Sequence, residues 1–205
     1  MIYQDFRKAF YELGCFSSAQ VYTWKPGFDK NNLGRWVKKG LIIKLRQSYY
    51  CFPEYLGLAG FDLFVANRMY RPSYISLHSA LAYYGLIPEG VVQVTSVTTK
   101  KTAHYVNSFG TYAYRSVKPE LFFGYELKPF SKDRTLMIAT AGKVLIDLLY
   151  LYPFYNTKEE IEALRLDEDL MQEMVDVGQL KDFTARFRNK ELEKRVDLLI
   201  NTYLS

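Results

Sequence analysis

The sequence predicts an α+β protein, in which a small unit of helices and a β-hairpin precedes a mixed α/β domain that ends in helices. Apolar residues recur at helical spacing within the first forty residues and again from residue 140 onward. Segments rich in β-branched and aromatic residues lie between these two regions. Hydrophobic residues make up 49% of the chain. That fraction supports a real core and excludes a disordered chain.

Two helices are predicted in the first 27 residues. The first carries an apolar stripe at helical spacing and stops at Gly14. Its members are Tyr3, Phe6, Phe10 and Leu13. Ser17 and Gln20 have the spacing of a capping box, so a second helix is predicted to start at Ser17 and to end at Lys25-Pro26-Gly27.

A third helix, capped by Asp29, is predicted next. Leu33, Trp36 and Val37 form its inward face. Its outward face is polar and basic, and consists of Asn31, Asn32, Arg35, Lys38 and Lys39. Amides pair with adenine, Arg pairs with guanine and Lys reaches phosphates, so this face suits the major groove of DNA. An ordinary solvated helix face has the same composition, and this alternative stays open here.

A β-hairpin follows the basic helix. Gly40 can close that helix, and from residue 43 to residue 46 apolar and basic residues alternate as in a half-buried strand. Gln47-Ser48 is the predicted turn, with a return strand over residues 49–52. Helices and hairpin together predict a winged helix-turn-helix domain over residues 1–53. Its predicted DNA-binding residues are Ser17, Ser18, Asn31, Asn32, Arg35, Lys38, Lys39, Lys44, Arg46 and Gln47.

The charge distribution agrees with this interpretation. Residues 1–53 carry nine Lys/Arg and three Asp/Glu, a net charge of +6. Residues 54–150 carry ten and seven, a net charge of +3, and residues 151–205 carry eight and twelve, a net charge of −4. The basic excess therefore lies in the unit that is predicted to meet phosphates.

The second domain is predicted over residues 54–205. Helices are expected at 61–70 and, capped by Ser76, at 77–84; strands are expected at 92–98, 111–115, 122–127 and 135–138. The chain becomes helical at about residue 140, with breaks near Asp167, Gly178 and Asn189. An acidic run within residues 159–169 is typical of a solvated helix face.

Several classes of protein and site are not indicated. No apolar run reaches the length of a membrane span, and the N-terminus lacks a secretory signal, so we expect a cytoplasmic protein. Cys15 and Cys51 are expected to be buried, reduced thiols. The sequence shows no metal-ligand cluster and no glycine-rich phosphate loop, so no metal and no cofactor is predicted.

The stretch YISLHSALAYYGLIPE, residues 74–89, resembles the AbiEi family, the antitoxins of type IV AbiE toxin–antitoxin systems. The similarity continues through VTSVTTKKT (94–102), FGTYAYRSVKPELFFGYE (109–126) and the helix of residues 139–150. In that helix Lys143 and Asp147 match the family pattern, whereas Ala141 and Gly142 replace its Pro-Glu. With the winged helix, the resemblance covers most of residues 1–150.

This resemblance implies a transcriptional autorepressor and antitoxin. The winged helix would bind inverted repeats in the operator of its own operon, as a homodimer or as two cooperating monomers. The second domain would counter a nucleotidyltransferase-like toxin, without requiring a stable complex with it. The candidate residues of this domain are His78, Arg115, Lys118, Lys143 and Asp147.

Two other classes of function stay open. An enzyme acting on nucleic acid would use Lys143 with Asp147, or His78, but an ion pair and a core histidine are the favoured explanations of these residues. An RNA-binding or protein-docking module without a toxin partner would use the strand that contains Arg115 and the neighbouring Lys118. Tyr112 and Tyr114 on that strand would then stack on bases, unless they belong to the core.

Overall fold

The computed structural model describes residues 3–131 and 134–204 and contains both helices and sheets, as predicted. The first part of the chain forms three helices and three short strands. They are α1 (Tyr3–Phe10), β1 (Cys15–Ser17), α2 (Ser18–Trp24), α3 (Asn31–Lys38), β2 (Ile43–Arg46) and β3 (Tyr49–Cys51). The strands form an antiparallel sheet in the order β1-β3-β2.

An aromatic cluster holds these helices against the small sheet. The Phe6 ring lies 4.5 Å from the Trp36 ring, 5.0 Å from Phe10 and 5.3 Å from Phe16, measured between ring centroids. Aromatic pairs at such distances bury large apolar areas and add favourable ring–ring interactions. The cluster therefore fixes α3 with its apolar side inward.

A second sheet of six strands organises the rest of the chain. Its strands are β4 (Ser73–Ile75), β5 (Gln93–Thr98), β6 (Ala103–Asn107), β7 (Gly110–Ser116), β8 (Tyr125–Ser131) and β9 (Arg134–Ala139). The order is β6-β7-β5-β4-β9-β8, with parallel pairing of β5 with β7 and of β4 with β9. Strands β4 and β5 are mostly buried, as expected at the centre of a covered sheet.

Seven further helices lie in the described residues. They are α4 (Phe61–Met69), α5 (Leu77–Tyr83), α6 (Ala141–Leu151), α7 (Lys158–Glu162), α8 (Glu168–Met174), α9 (Val177–Ala185) and α10 (Lys190–Tyr203). Helix α6 is buried along almost its whole length and contacts α5, α9 and α10. None of the helices in the described part of the chain has the length and apolar character that a membrane span requires.

Most predicted elements are present, with several corrections. Helix α1 ends at Phe10 and is followed by a 3₁₀ helix at residues 11–13. Leu13 is therefore 43% exposed and does not belong to the apolar stripe. Gly178 lies inside α9, and the break before that helix is at Asp176, which caps it. Asp167 and Asn189 do cap the helices that follow them. Strands β1, β4 and β6 were not predicted.

The two parts of the chain are joined by hydrogen bonds as well as by a continuous core. Arg134 donates from Nη2 to the carbonyl oxygen of Glu12 at 2.9 Å and to the Tyr55 hydroxyl at 2.6 Å. The Tyr55 ring stacks on Phe61 with 4.4 Å between centroids. A unit of about fifty residues buries little surface by itself, so these contacts stabilise the first part against the second.

Candidate functional sites

The outward side of α3 is the candidate nucleic-acid interface. Leu33 and Trp36 are buried, whereas most of the predicted polar face is solvent-exposed. The exposed members are Asn31, Arg35, Lys38 and Lys39, and Asn32 is half-buried. Gly34 lies on the same exposed side, and a Cβ atom added there would have no neighbour within 4 Å. The helix thus presents cations and amides beside the backbone of Gly34, which no side chain covers.

Asp29 organises the start of this face. Its Oδ1 accepts a hydrogen bond from the Asn31 N–H at 3.0 Å, and its Oδ2 accepts one from Arg35 Nη2 at 2.6 Å. The predicted cap is therefore displaced: Lys30 occupies the N-cap position, and Asp29 supports the helix from one residue earlier. Because the Asp29–Arg35 pair is exposed, its two side chains can separate at small cost.

The hairpin has the predicted turn, and it contacts the start of α2. Gln47 and Ser48 connect β2 to β3, and Ser48 adopts a left-handed backbone conformation with φ +66°. The Ser18 N–H donates to the Ser48 carbonyl oxygen at 2.9 Å. Ser17 and Gln20 form the predicted capping box, so the Ser17 hydroxyl is engaged within α2. Lys44 and Gln47 are exposed.

Arg46 has a different environment from the one expected of a phosphate contact. Its Nε donates to the Met69 carbonyl oxygen at 2.6 Å. Its guanidinium carbon lies 4.6 Å from the centroid of the Tyr49 ring and 5.7 Å from that of Tyr105. The contacts with Met69 and Tyr105 hold the hairpin against the second domain. Asn107 adds a hydrogen bond from Nδ2 to the Leu45 carbonyl oxygen at 3.2 Å.

Two basic residues near this interface were not predicted. Arg68 and Arg71 line a recess of about 250 Å³ together with Ser17, Gln20 and Tyr49. The sequence shows both arginines within RMYRP, but nothing local connects them with residues fifty positions earlier. The fold brings them beside the start of α2.

Lys143 and Asp147 form a buried ion pair on α6, which is one of the two explanations that the sequence left open. Tyr74 and Ser76 donate hydrogen bonds to Asp147 Oδ2, each at 2.9 Å, and Lys143 Nζ donates to the Tyr74 hydroxyl oxygen at 2.9 Å. Ser76 therefore stands at the start of α5 without capping it by its side chain, contrary to the expectation.

Burial dominates the electrostatics of this pair. It lowers the pKa of Lys143 and raises the pKa of Asp147, whereas the contact between the two groups acts in the opposite direction on each. Both side chains are 0% exposed. A nucleic-acid substrate does not reach them in this conformation, so the pair is structural here rather than a site open to substrate.

The remaining candidates of the second domain are His78, Arg115 and Lys118. His78 lines a cavity of about 470 Å³ together with Tyr152 and Tyr155. The Arg115 guanidinium lies 5.7 Å from the centroid of the Tyr152 ring, and Lys118 lines a different cleft. The five predicted residues therefore do not converge on one site.

The tyrosines that would stack on RNA bases are core residues. Tyr112 and Tyr114 are both 0% exposed, and the Tyr114 hydroxyl donates to the Ala66 carbonyl oxygen at 2.9 Å. Rings in this position offer no face to a nucleic acid. This strand therefore does not provide the aromatic platform that the RNA-binding alternative required.

The cysteines are buried free thiols, as predicted, and their burial raises the pKa of each. Cys15 and Cys51 face each other across β1 and β3. Within residues 3–131 and 134–204, no group of three or more His, Cys, Asp and Glu residues is arranged to hold a metal ion.

No protein-family model matches this chain, and no curated protein matches it significantly.

Proposed function

We propose that the protein is a DNA-binding transcriptional autorepressor and the antitoxin of a type IV toxin–antitoxin system. The observation that carries the DNA-binding part is the exposed face of α3, with Asn31, Arg35 and Lys38 standing over buried Leu33 and Trp36. A helix of this kind is held rigidly by its apolar side while its polar side is free to enter the major groove.

The order of elements supports a winged helix-turn-helix. Helices α1 to α3 are followed by the β2–β3 hairpin, and β1 completes a three-stranded sheet with it. In the proposed complex α3 contacts bases and phosphates, and Lys44 contacts the DNA backbone from the hairpin. Arg46 positions the hairpin instead of contacting phosphate.

Arg68 and Arg71 extend the proposed interface. They lie beside Ser17 and Gln20, on the side of the molecule where the hairpin turn meets α2. Arginines at the edge of a reading helix bind phosphates and fix its register on the duplex. The second domain would thereby contribute to DNA affinity as well as to the stability of the winged helix-turn-helix.

Fluorescence anisotropy with the upstream region of the protein's own gene tests this proposal. We expect the double variant Arg35→Ala, Lys38→Ala to lose most of its affinity. The plot of log affinity against log salt concentration has a negative slope, and its magnitude should decrease by roughly 2, since about one counterion is released per phosphate contact. Lys181→Ala with Lys190→Ala is the matched control, because it removes two exposed cations from α9 and α10. Equal binding by both double variants and the unmodified protein contradicts the proposal.

The antitoxin part rests on the resemblance that begins at Tyr74 and continues to the helix of residues 139–150. It predicts that the neighbouring gene encodes a nucleotidyltransferase-like toxin. Co-expression of this chain should relieve the growth arrest that such a toxin causes. The Arg35→Ala, Lys38→Ala variant should abolish repression and retain the relief, since the two activities lie in different parts of the chain. Absence of relief by the unmodified chain contradicts the antitoxin role.

A further inference from the structure

A cleft of about 830 Å³ opens in the second domain, where the segment after β7, the end of α6 and the turn between α9 and α10 meet. We call it the C-terminal cleft. The residues that matter for its chemistry are Lys118, Glu120, Tyr150, Arg186, Phe187 and Arg188. Its volume lies within the range of small-molecule sites, which is about 300–1,000 Å³.

The cleft collects positive charge in a part of the chain that is acidic as a whole. Residues 151–205 carry eight Lys/Arg and twelve Asp/Glu. Lys118, Arg186 and Arg188 are exposed, and within residues 3–131 and 134–204 none of them forms an ion pair. Arginines after the end of α9 suit its dipole, but that effect does not explain Lys118, which comes from another element. Cations that line one cleft without a carboxylate ion-pair partner indicate an anionic ligand.

Aromatic packing positions one of these cations. The Arg186 guanidinium carbon lies 4.6 Å from the centroid of the Phe123 ring and 5.5 Å from that of Phe183. On the buried side, the Lys143 ammonium lies 5.1 Å from Phe123 and 5.3 Å from Phe187. The buried ion pair thus supports the floor of the cleft, which reduces the ordering that a ligand would require.

Two further groups restrict the ligand. Tyr150 is half-buried and meets Phe187 edge-on, with 4.9 Å between centroids. An aromatic ring at the wall of a basic cleft suits a stacked heterocycle. Glu120 is the carboxylate among the lining residues, and a carboxylate accepts hydrogen bonds from the hydroxyls of a ribose.

We propose that the C-terminal cleft binds a nucleotide. Lys118, Arg186 and Arg188 hold its phosphates, Glu120 accepts from a ribose hydroxyl, and the base packs against Tyr150. This site is separate from the DNA-binding face of α3, and it does not depend on the antitoxin role.

Isothermal titration calorimetry of the full chain tests the proposal with ATP, GTP and inorganic pyrophosphate as probes. We expect ATP or GTP to bind, and Lys118→Gln with Arg188→Gln to weaken that binding at least about tenfold, since each lost contact is charge-assisted. Tyr150→Leu should weaken the binding of the nucleotides and leave pyrophosphate binding unchanged. Lys181→Ala with Lys190→Ala is the matched control and should bind like the unmodified protein.

Three outcomes overturn the proposal: no heat of binding with either nucleotide at millimolar concentration, equal affinity of the cleft variants and the control, or binding of a single-stranded RNA oligomer without binding of mononucleotides. Circular dichroism of each variant establishes that it is folded. The DNA affinity of the cleft variants is measured in parallel and should not change, so failure here and failure of the DNA-binding proposal are distinguishable.

Discussion

Arg46 of the hairpin donates a hydrogen bond from Nε to the main-chain carbonyl oxygen of Met69, the last residue of α4, at 2.6 Å. The β2–β3 hairpin and α4 are thereby joined through a side chain that the charge pattern alone would assign to a phosphate contact. Tyr49, Tyr70 and Tyr105 surround its guanidinium at cation–π distances.

Replacing Arg46 by Ala should lower the free energy of unfolding by about 1.5–3 kcal/mol, the usual range for a hydrogen bond to a charged group. Urea denaturation measures this loss. DNA binding should weaken without a change in salt dependence, since Arg46 positions the hairpin. Lys44→Ala serves as the comparison for Arg46→Ala. For Lys44→Ala the magnitude of the slope of log affinity against log salt concentration should decrease by about 1. If Arg46→Ala instead shows a less steep salt dependence and unchanged stability, Arg46 contacts a phosphate.

Gly34→Ala should have opposite effects on stability and binding. A glycine inside an exposed helix costs roughly 0.5–1 kcal/mol relative to alanine, and the added methyl group meets no atom of the protein. Thermal denaturation should therefore show a more stable protein. If α3 lies in the major groove with this backbone close to DNA, anisotropy should show weaker binding. A variant that is more stable and binds equally well would place Gly34 away from the DNA.

Asp29→Asn should strengthen DNA binding at low salt. The amide keeps an acceptor for the Asn31 N–H, but the substitution removes a negative charge and releases Arg35. The loss of stability should stay within about 1 kcal/mol, because the pair is exposed. Asp5→Asn on α1 makes the same change of charge elsewhere and serves as the control in the anisotropy titration. Weaker binding by Asp29→Asn would mean that the helix start needs the carboxylate.

The Lys143–Asp147 pair should show strong coupling. Removing one partner leaves a buried charge without its counterion, so Lys143→Met should cost about 3–5 kcal/mol. The double variant Lys143→Met, Asp147→Leu should lose less than the sum of the single variants, as a double-mutant cycle in urea measures. Lys158→Met breaks the exposed pair with Glu162 and should cost less than about 1 kcal/mol. Additive single effects would argue against the buried contact.

His78 should make stability depend on pH. Burial lowers its pKa, and the charge of Glu89 opposes this effect more weakly. The unfolded chain therefore binds more protons than the folded protein in the pH range between the folded pKa and about 6.5, the ordinary pKa of histidine. The contribution of His78 is present above about pH 6.5 and is lost as the pH falls through this range. Urea denaturation at several pH values should show this loss, and His78→Gln should reduce it. If His78→Gln has the same pH dependence of stability as the unmodified protein, His78 is not the group responsible for it.

Local patterns predicted the first part of the chain, residues 3–53, well. The two faces of α3, the capping box at Ser17, the turn at Gln47-Ser48 and the glycine after α3 each depend on residues within a few positions of one another. Helical periodicity and turn chemistry operate over that range, so the sequence alone determines them. The spacing of Lys143 and Asp147 belongs to the same category, because residues four apart on a helix are neighbours.

Tertiary structure decided the features whose partners are remote in sequence. Strand β4 has three residues and owes its existence to pairing with β5 and β9. Tyr74 reaches Asp147 across 73 positions, and Arg46 reaches Met69 across 23. Cations from separate elements meet only in the folded C-terminal cleft. No local pattern encodes such meetings, because they result from the packing of whole elements around one core, which fixes where each side chain points.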